Sequence, residues 1–566
     1  MGPTYHGGSK RAVPGSAQAG ASCAPQDIES INASLQTLSH GLVDLKKALQ
    51  KGGCSVEALS SNTETTTNIA CTSCDRVNAQ NLICASRTPV DTAGPHRNSL
   101  CSQLVSLGQR HGTSHAVRSF LERDVLPFFG LDNSSATYPF VDLWGSPQGP
   151  DDRMHKLSKT FPNDTDCWLS FKAYKNTAHV LFPVLEDLEA LEDELLQFLV
   201  TRRENQDESR EYLTEVGIFG REISWIGLMF AILASGSQCS SLECRQRELT
   251  SKVYTCCSFE CLRMMNFLAG PNARTVQTLL ILGNVLCNNV NVGVAWSLLG
   301  LTSRLCHTHE FLQTLSASDG RPSAEASSLT RKLWRCIMWQ DSFLSVTDGR
   351  ATSVENNCSI ISKGPVPAGP WTYVECLTQL SKVTADLLCE RSRGNISDAY
   401  SARADRIQLK LDEIFSNAAG HLQDRRLACS RQQNIENAGL LLLVSHVRSE
   451  LFRPALDPTL DQCASAQRLR ASAVDALANT IDAFLLMQDT TPFARRSWLA
   501  VYRAVSSAVL LATMRVAEKD SRAFRLIGRL VSALDNTQDP TEMSSSIAGL
   551  LSTMKTLIPK APGHVR

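Results

Sequence analysis

The sequence predicts an all-α protein, and three properties of the chain lead to that prediction. Hydrophobic residues make up 43% of the 566 residues, which is enough to bury a large core. Aromatic residues make up only 6%, and the apolar residues are mainly Leu, Ala and Val, which favours helical bundles over sheet sandwiches. From about residue 116 almost to the end, apolar residues recur at the spacing of amphipathic helices, and no stretch has a convincing strand pattern.

Changes in composition divide the chain into segments. The first segment is rich in Gly, Ser, Ala and Pro, as disordered segments are, and the third is rich in Ser, Thr and Asn. We therefore predict, in chain order, a disordered N-terminal arm (1–25), a short coiled-coil helix (26–51), a polar linker (52–115), a large helical domain (116–540) and a C-terminal helix and tail (541–566).

Within the large domain, helical periodicity alternates with Pro-, Gly- or Asn-bearing breaks such as Gly270-Pro271 and Thr490 to Pro492. The predicted helices span 168–203 (broken at Pro183), 208–236, 247–268, 273–288, 293–309, 325–345, 371–391, 396–420, 431–452, 460–488, 494–516 and 521–534. The sequence has no fixed internal repeat. We therefore expect one large helical domain, either as a single unit or with two subregions.

A regular apolar seam runs along the helix that precedes the linker. Its residues alternate spacings of three and four, which is the a/d pattern of a coiled coil. They are Ile28, Ile31, Leu35, Leu38, Leu42, Leu45 and Leu49. Two interpretations follow from this pattern: the helix packs on its own domain, or it pairs two chains as a homodimer.

The charge balance argues against a compact DNA-binding domain. Lys plus Arg and Asp plus Glu each number 56, so the formal net charge is zero. DNA-binding domains usually carry a basic excess, because neutralising phosphates supplies much of their affinity. The chain also has no apolar run of about 18 residues and no signal-peptide core near its start, which predicts a soluble protein of a reducing, intracellular compartment.

The 20 cysteines do not have the spacing of a zinc cluster. Such a cluster needs cysteines in two C-x2-C halves around two metal ions, with a basic stretch that contacts phosphate. Here Cys71 and Cys74 form the only C-x2-C pair, Cys84 follows after ten residues, and a single arginine lies between. A four-cysteine site that also uses Cys101 remains an alternative, but we predict no bound metal and cysteines that act as small hydrophobic residues.

Motifs of enzymes are missing from the sequence. It contains no P-loop, no G-x-G-x-x-G after a strand, no G-x-S-x-G and no H-E-x-x-H. His307 and His309 are two residues apart, so on a helix they face different directions. We predict no catalytic residues, no cofactor and no DNA-binding residues.

An acidic run over residues 186–194 alternates with leucines, which predicts an amphipathic helix with an acidic outer face. The simpler interpretation is a solvated surface. The alternative is a docking face for a basic partner.

The segment from Val276 to Val354 carries the most specific motifs. Its first half reads VQTLLILGNVLCNNVNVGVAWSLLGLTSRLCHTHEFL, and its second half, after a polar loop, reads SLTRKLWRCIMWQDSFLSVTDGRATSV. It resembles the central block of the regulatory domain of fungal zinc-cluster transcription factors, also called the middle homology region. The matching positions are Gln277, Leu279, Leu280, Ala295, Trp296, Arg304, Arg331, Leu333, Trp334, Asp341, Ser345, Gly349 and Arg350. Arg335 and Ala351 depart from the family pattern.

Flanking segments are similar to the same family. Phe182-Pro183 stands where the family has a Phe-Pro step, and residues 227–237 resemble its next apolar helix. Arg453, Pro454 and Leu456 match its Arg-Pro-x-Leu turn. The resemblance covers roughly residues 165–535.

The resemblance implies a nuclear transcriptional regulator that controls a metabolic or specialised-metabolite gene cluster. Because the zinc cluster is missing, it would contact DNA indirectly, through a DNA-binding or co-regulator protein or through a homologue paired by the seam. Another possibility is that the chain begins downstream of a DNA-binding exon. The motif residues are expected to be structural, with the tryptophans in the core and Arg331 or Arg350 paired with carboxylates. Alternatively, the helical core holds an effector, and the protein is a small-molecule sensor that works away from DNA.

Overall fold

The computed structural model of the chain describes residues 139–145, 149–204, 213–214, 217–307, 324–348, 352, 369–391, 398–456, 464–514 and 521–534. All of them belong to the unit Asp91–Arg566. The predicted arm, coiled-coil seam, polar linker, four-cysteine alternative and C-terminal tail lie outside the described residues. So do Gly349 and Arg350.

The described residues form an all-α fold, which confirms the predicted fold class. The α-helices are α1 (Pro150–Thr160), α2 (Asp164–Ala173), α3 (His179–Leu181), α4 (Leu188–Glu204), α5 (Ile223–Cys239), α6 (Cys244–Met264), α7 (Ala273–Asn288), α8 (Val292–Leu305), α9 (Ala324–Asp348), α10 (Tyr373–Arg391), α11 (Asp398–Asn417), α12 (Gly420–Gln423), α13 (Arg431–Phe452), α14 (Ala464–Thr490), α15 (Trp498–Thr513) and α16 (Ser521–Leu534). A π-helix (Tyr174–Ala178) joins α2 to α3, and 3-10 turns occupy Arg425–Leu427, Arg453–Leu456 and Pro492–Arg495.

Three helices, α7, α13 and α16, begin and end at the predicted residues. For α7 the local reason is a capping box. The side chain of Asn272 accepts a hydrogen bond from the Thr275 backbone N–H at 2.8 Å, and Thr275 Oγ1 accepts one from the Asn272 backbone N–H at 3.3 Å. Two backbone donors that the helix leaves unpaired are thereby satisfied.

The helix predicted over 208–236 is correct only from Ile223 onward. A small antiparallel sheet precedes it, with strands β1 (Leu213–Thr214), β2 (Gly217–Ile218) and β3 (Arg221–Glu222) in that order. The turn between the last two strands uses Phe219 and Gly220, whose φ angles are 47° and 73°. Two successive left-handed residues fit a two-residue hairpin and cannot belong to a right-handed helix.

Helix α5 is central to the first half of the fold. It is apolar on all sides and is buried along nearly its whole length between α2, α6 and α7. Gly236 is required at its contact with α2, because a Cβ at this position would lie 2.0 Å from the carbonyl oxygen of Ser170. The backbones of the two helices therefore touch directly.

The second half is built on α13, which packs along α14, while α14 also packs against α15. Tyr373, at the start of α10, donates a hydrogen bond from Oη to the Leu181 carbonyl at 3.2 Å. A Cβ on Gly439 of α13 would lie 2.8 Å from a Leu181 methyl group and 3.0 Å from Tyr373 Oη. Leu181 thus joins the first half of the chain to the second within one continuous apolar core.

Candidate functional site

The residues that carry the family resemblance lie on α7, α8 and α9, which contact one another. Eight of them are buried: Gln277, Leu279, Leu280, Ala295, Leu333, Trp334, Asp341 and Ser345. Gln340, next to Asp341, donates from Nε2 to the Leu280 carbonyl at 2.7 Å and so ties α9 to α7. This part of the motif faces the common core.

Three described motif residues lie nearer the surface. Trp296 on α8 is half-buried, and Arg304 and Arg331 are exposed. The ring of His307 packs against Trp334 with centroids 4.7 Å apart. The motif therefore includes core and surface positions in the same three helices.

Arg453 and Pro454, the residues of the Arg-Pro-x-Leu match, are buried at the end of α13. Arg453 forms an ion pair with Glu450, and the side chains of the two residues are 3% and 0% exposed. Removing one member of a charged pair so far from water is usually strongly destabilising, because the other member loses a compensating charge.

A cavity of about 40 Å³ lies where the segment 174–184 meets α5, α7 and the start of α15. All the side chains that line it are uncharged. Tyr174, Leu181 and Phe182 contribute from the first segment, and Asn284 of α7 is half-buried beside them. The lining is therefore apolar with a few hydrogen-bonding groups, which is the usual make-up of a small-molecule site.

Tyr174 is the unusual residue of the cavity. It is 2% exposed, and its hydroxyl group has no hydrogen-bond partner. Burial raises the pKa of this phenol, so it stays protonated. It also begins the π-helix, in which the His179 N–H donates to the Tyr174 carbonyl five residues back. π-Helical turns occur often at functional sites.

We expect Tyr174→Phe to leave the free energy of unfolding unchanged or to raise it, because the substitution removes a buried hydroxyl that has no partner. The matched control is Tyr400→Phe, whose hydroxyl donates to the Leu451 carbonyl at 2.7 Å. The free energy of unfolding of that variant should be lower by about 1–3 kcal/mol, since the Leu451 carbonyl is left without its donor. Urea denaturation measures the free energy of unfolding of both variants. If Tyr174→Phe lowers it as much as Tyr400→Phe does, the Tyr174 hydroxyl has a hydrogen-bond partner after all.

His179, beside Tyr174, gives the fold a predicted pH dependence. Burial lowers its pKa to about 4, although Nε2 can donate to the Leu185 carbonyl at 3.3 Å. The unfolded chain, with a histidine pKa of about 6.5, binds a proton in this window that the folded chain does not. The free energy of unfolding should therefore decrease as the pH falls from about 6.5 to about 4, by about 3 kcal/mol at most.

Denaturation curves at several pH values, recorded for the wild type and for His179→Gln, test this dependence. We expect the variant to lose less stability over the same acid range. Two parallel curves would show that the dependence comes from other groups.

Arg503 is a buried charge without a counter-ion. It is 4% exposed, its Nε and Nη2 have no hydrogen-bond partner, and it forms no ion pair within the described part of the chain. Burial lowers its pKa to about 10, which still leaves the guanidinium charged near neutral pH. The groups whose charges act on it are Tyr373, Cys287 and Tyr502, none of them a carboxylate. Burying a charge without a counter-ion makes the free energy of folding less favourable.

The acidic run of α4 is partly neutralised inside the domain. Glu192 pairs with Lys172 at 2.7 Å and with Lys175, and these two lysines lower its pKa. Glu194 lies 3.4 Å from Arg274. The predicted docking face would therefore rest on the remaining acidic residues of the run, Glu186, Asp187, Glu189 and Asp193, all of which are exposed.

The cysteines within the described residues are all free, and most of them are buried. Cys429 is an exception, because it is exposed at the turn before α13. In the described residues no group of three His, Cys, Asp or Glu side chains is placed to hold a metal ion. None of the described helices has both the length and the apolar character needed to cross a bilayer.

The whole chain has no match among protein-family models, and no curated protein matches it. The resemblance to the fungal regulatory domain therefore rests on the motifs quoted above. Neither Tyr174 nor Arg503 was predicted from the sequence. For Arg503 a pattern was present, since it is the only charged residue in the helix WLAVYRAVSSAVLLAT.

Proposed function

We propose that the protein is a nuclear transcriptional regulator of fungal type that acts through its helical domain and reaches DNA through a DNA-binding partner. Its target genes would be a metabolic or specialised-metabolite cluster. The observation that carries the proposal is the order and spacing of the family-like motifs across residues 165–535. The all-α fold is what such a domain requires, and the balanced charge favours indirect contact with DNA.

Chromatin occupancy tests this proposal in the source cell. The full chain should occupy promoters, and Leu38→Asp, which places a charge in the predicted seam, should reduce that occupancy. Ser39→Asp, one residue away and off the seam, is the matched control and should keep it. Absence of promoter occupancy by the wild-type chain would contradict the proposal.

Purified protein tests the role of the partner. We expect the full chain alone to give no footprint on a promoter that it occupies in cells. A sequence-specific footprint by the chain alone would contradict indirect binding while leaving the regulatory role in place.

A second candidate function is a small-molecule sensor that works away from DNA. The cavity lined by Tyr174 favours it, because the cavity combines apolar walls with a few hydrogen-bonding side chains. Cytosolic localisation together with metabolite binding and no promoter occupancy would distinguish this function from the first.

A further inference from the structure

We propose that the groove between α4, α7 and α9 binds a lysine- or arginine-bearing segment of a partner protein, in which Glu186 and Asp187 pair with the basic side chains and Gln277 hydrogen-bonds to the backbone of the segment. This inference deepens the proposed function, because it gives the chemistry of the partner, and it rests on that function for its biological meaning. Binding is measured with purified protein and without any promoter, so the two proposals can fail separately.

The groove is large enough for part of a peptide. It has a volume of about 640 Å³ and opens to solvent. Ligand sites in proteins have volumes of roughly 300–1,000 Å³. Leu191, Leu228 and Leu329 supply apolar surface from α4, α5 and α9, and carboxylates lie beside it. This combination suits a segment in which apolar and basic residues are neighbours.

The charges of the groove are unbalanced. Among the described residues that line it, Glu186, Asp187 and Glu194 carry carboxylates, whereas Arg274 alone carries a positive charge. Arg274 already lies 3.4 Å from Glu194 and 3.7 Å from Glu222. Glu186 and Asp187 are exposed and form no ion pair within the described residues. They are therefore available to a cation and would repel the phosphates of a nucleic acid.

The hydrogen bonds that these two carboxylates make leave acceptor sites for a cation. Glu186 Oε1 accepts from Ser328 Oγ at 3.2 Å, and Asp187 Oδ1 accepts from the Ala190 backbone N–H at 2.8 Å. Lys332 of α9 is close enough to sense the charge of Glu186, but its ammonium group donates to a backbone carbonyl. An ionised carboxylate has about four lone-pair sites, so each one can still accept from a lysine or an arginine.

Gln277 is a buried polar residue of the same groove that has no partner. It is 9% exposed, and neither atom of its amide forms a hydrogen bond within the described residues. Neither atom is closed off from solvent, so the accessible part of Gln277 includes its amide and faces the groove that the residue lines. The other buried glutamines of the described chain, Gln238 and Gln340, donate to the carbonyls of Val285 and Leu280.

The amide of Gln277 determines what kind of basic partner fits. A side-chain amide both donates and accepts hydrogen bonds, and so do the peptide groups of a protein backbone. A peptide segment can therefore supply the partners that Gln277 lacks while its basic side chains reach the carboxylates. A metal cation would leave the amide nitrogen without an acceptor.

The test uses a phage-displayed library of random heptapeptides, selected on the purified full chain. We expect the selected peptides to be enriched in Lys and Arg, with apolar residues beside them. Fluorescence polarisation then measures the Kd of the most enriched peptide. Raising the NaCl concentration from about 0.05 M to about 0.5 M should weaken binding, because salt screens exposed ion pairs.

Three variants locate the peptide on the surface. Glu186→Gln combined with Asp187→Asn should raise the Kd by about tenfold, because two exposed ion pairs are lost. The matched control, Glu189→Gln combined with Asp193→Asn, removes the same charge from exposed residues of α4 that do not line the groove. It should change the Kd by less than about twofold, because water screens the more distant charges. Gln277→Leu should raise the Kd by about tenfold through the loss of its hydrogen bonds.

Three results would overturn the proposal. The first is a selection without enrichment of basic residues. The second is an equal Kd for the wild type, the Glu186 and Asp187 double variant and Gln277→Leu, which would place the peptide elsewhere. The third is an equal rise in Kd for the two double variants, which would show an effect of overall charge. If Gln277→Leu failed to fold, as judged by circular dichroism, the two double variants would decide, since they change only exposed side chains.

Discussion

Replacing Glu450 with Gln is expected to lower the free energy of unfolding by about 3–5 kcal/mol, because it removes the carboxylate that pairs with Arg453 inside the protein. Both side chains are almost completely buried, so water cannot replace the lost carboxylate. Chemical denaturation monitored by circular dichroism measures the loss. The double variant Glu450→Leu with Arg453→Met should recover much of it, since replacing both charges with apolar groups is often neutral.

The matched control is the ion pair between Lys410 and Asp386, with a distance of 2.6 Å and both side chains 53% exposed. Asp386→Asn should lower the free energy of unfolding by less than about 1 kcal/mol, because water screens an exposed ion pair. A Glu450→Gln loss no larger than that of Asp386→Asn would show that the buried pair does not stabilise the fold.

Arg503→Met is expected to raise the free energy of unfolding by about 1–4 kcal/mol. The substitution keeps most of the apolar volume and removes a guanidinium that is buried and unpaired, so its desolvation cost disappears. Arg503 and Arg453 are both buried arginines, and we expect substitutions at them to have opposite signs. Thermal and urea denaturation of Arg503→Met and Arg453→Met, recorded side by side, measures both effects.

Arg503→Lys is the control for charge. It retains a cation at the same place and should give no gain in stability, because an ammonium group is also costly to bury. Equal stabilisation by Met and Lys would mean that side-chain shape, and not charge, determines the effect. Destabilisation by Met would mean that Arg503 has a stabilising partner in the folded protein.

Helix type and position were predictable because apolar periodicity is a property of the sequence itself. The helix over 521–534 is an example, since its apolar and polar residues lie on opposite faces and it begins and ends at the predicted residues. The hairpin before α5 was not predictable in the same way. Its strands have only two residues each, and the positive φ of Phe219 depends on the fold around it.

The candidate site was less accessible to sequence reasoning than the fold. Tyr174 lies within an apparently continuous helical pattern, and neither the π-helical turn nor its missing hydrogen bond is encoded by spacing. The cavity combines residues more than 300 positions apart, such as Tyr174 and Phe493. A lone arginine among apolar residues of α15 was visible, but its lack of a counter-ion is a tertiary property.

The backbone contact between Gly236 and Ser170 makes part of the cavity wall rigid. Because no side chain separates α5 from α2 at this point, the two helices have no room to slide past each other. α2 continues directly into the turn that carries Tyr174, and α5 contributes Ser235 to the same wall. A molecule that needs more space would therefore push on the opposite wall, and the change would be transmitted toward α7 and α15.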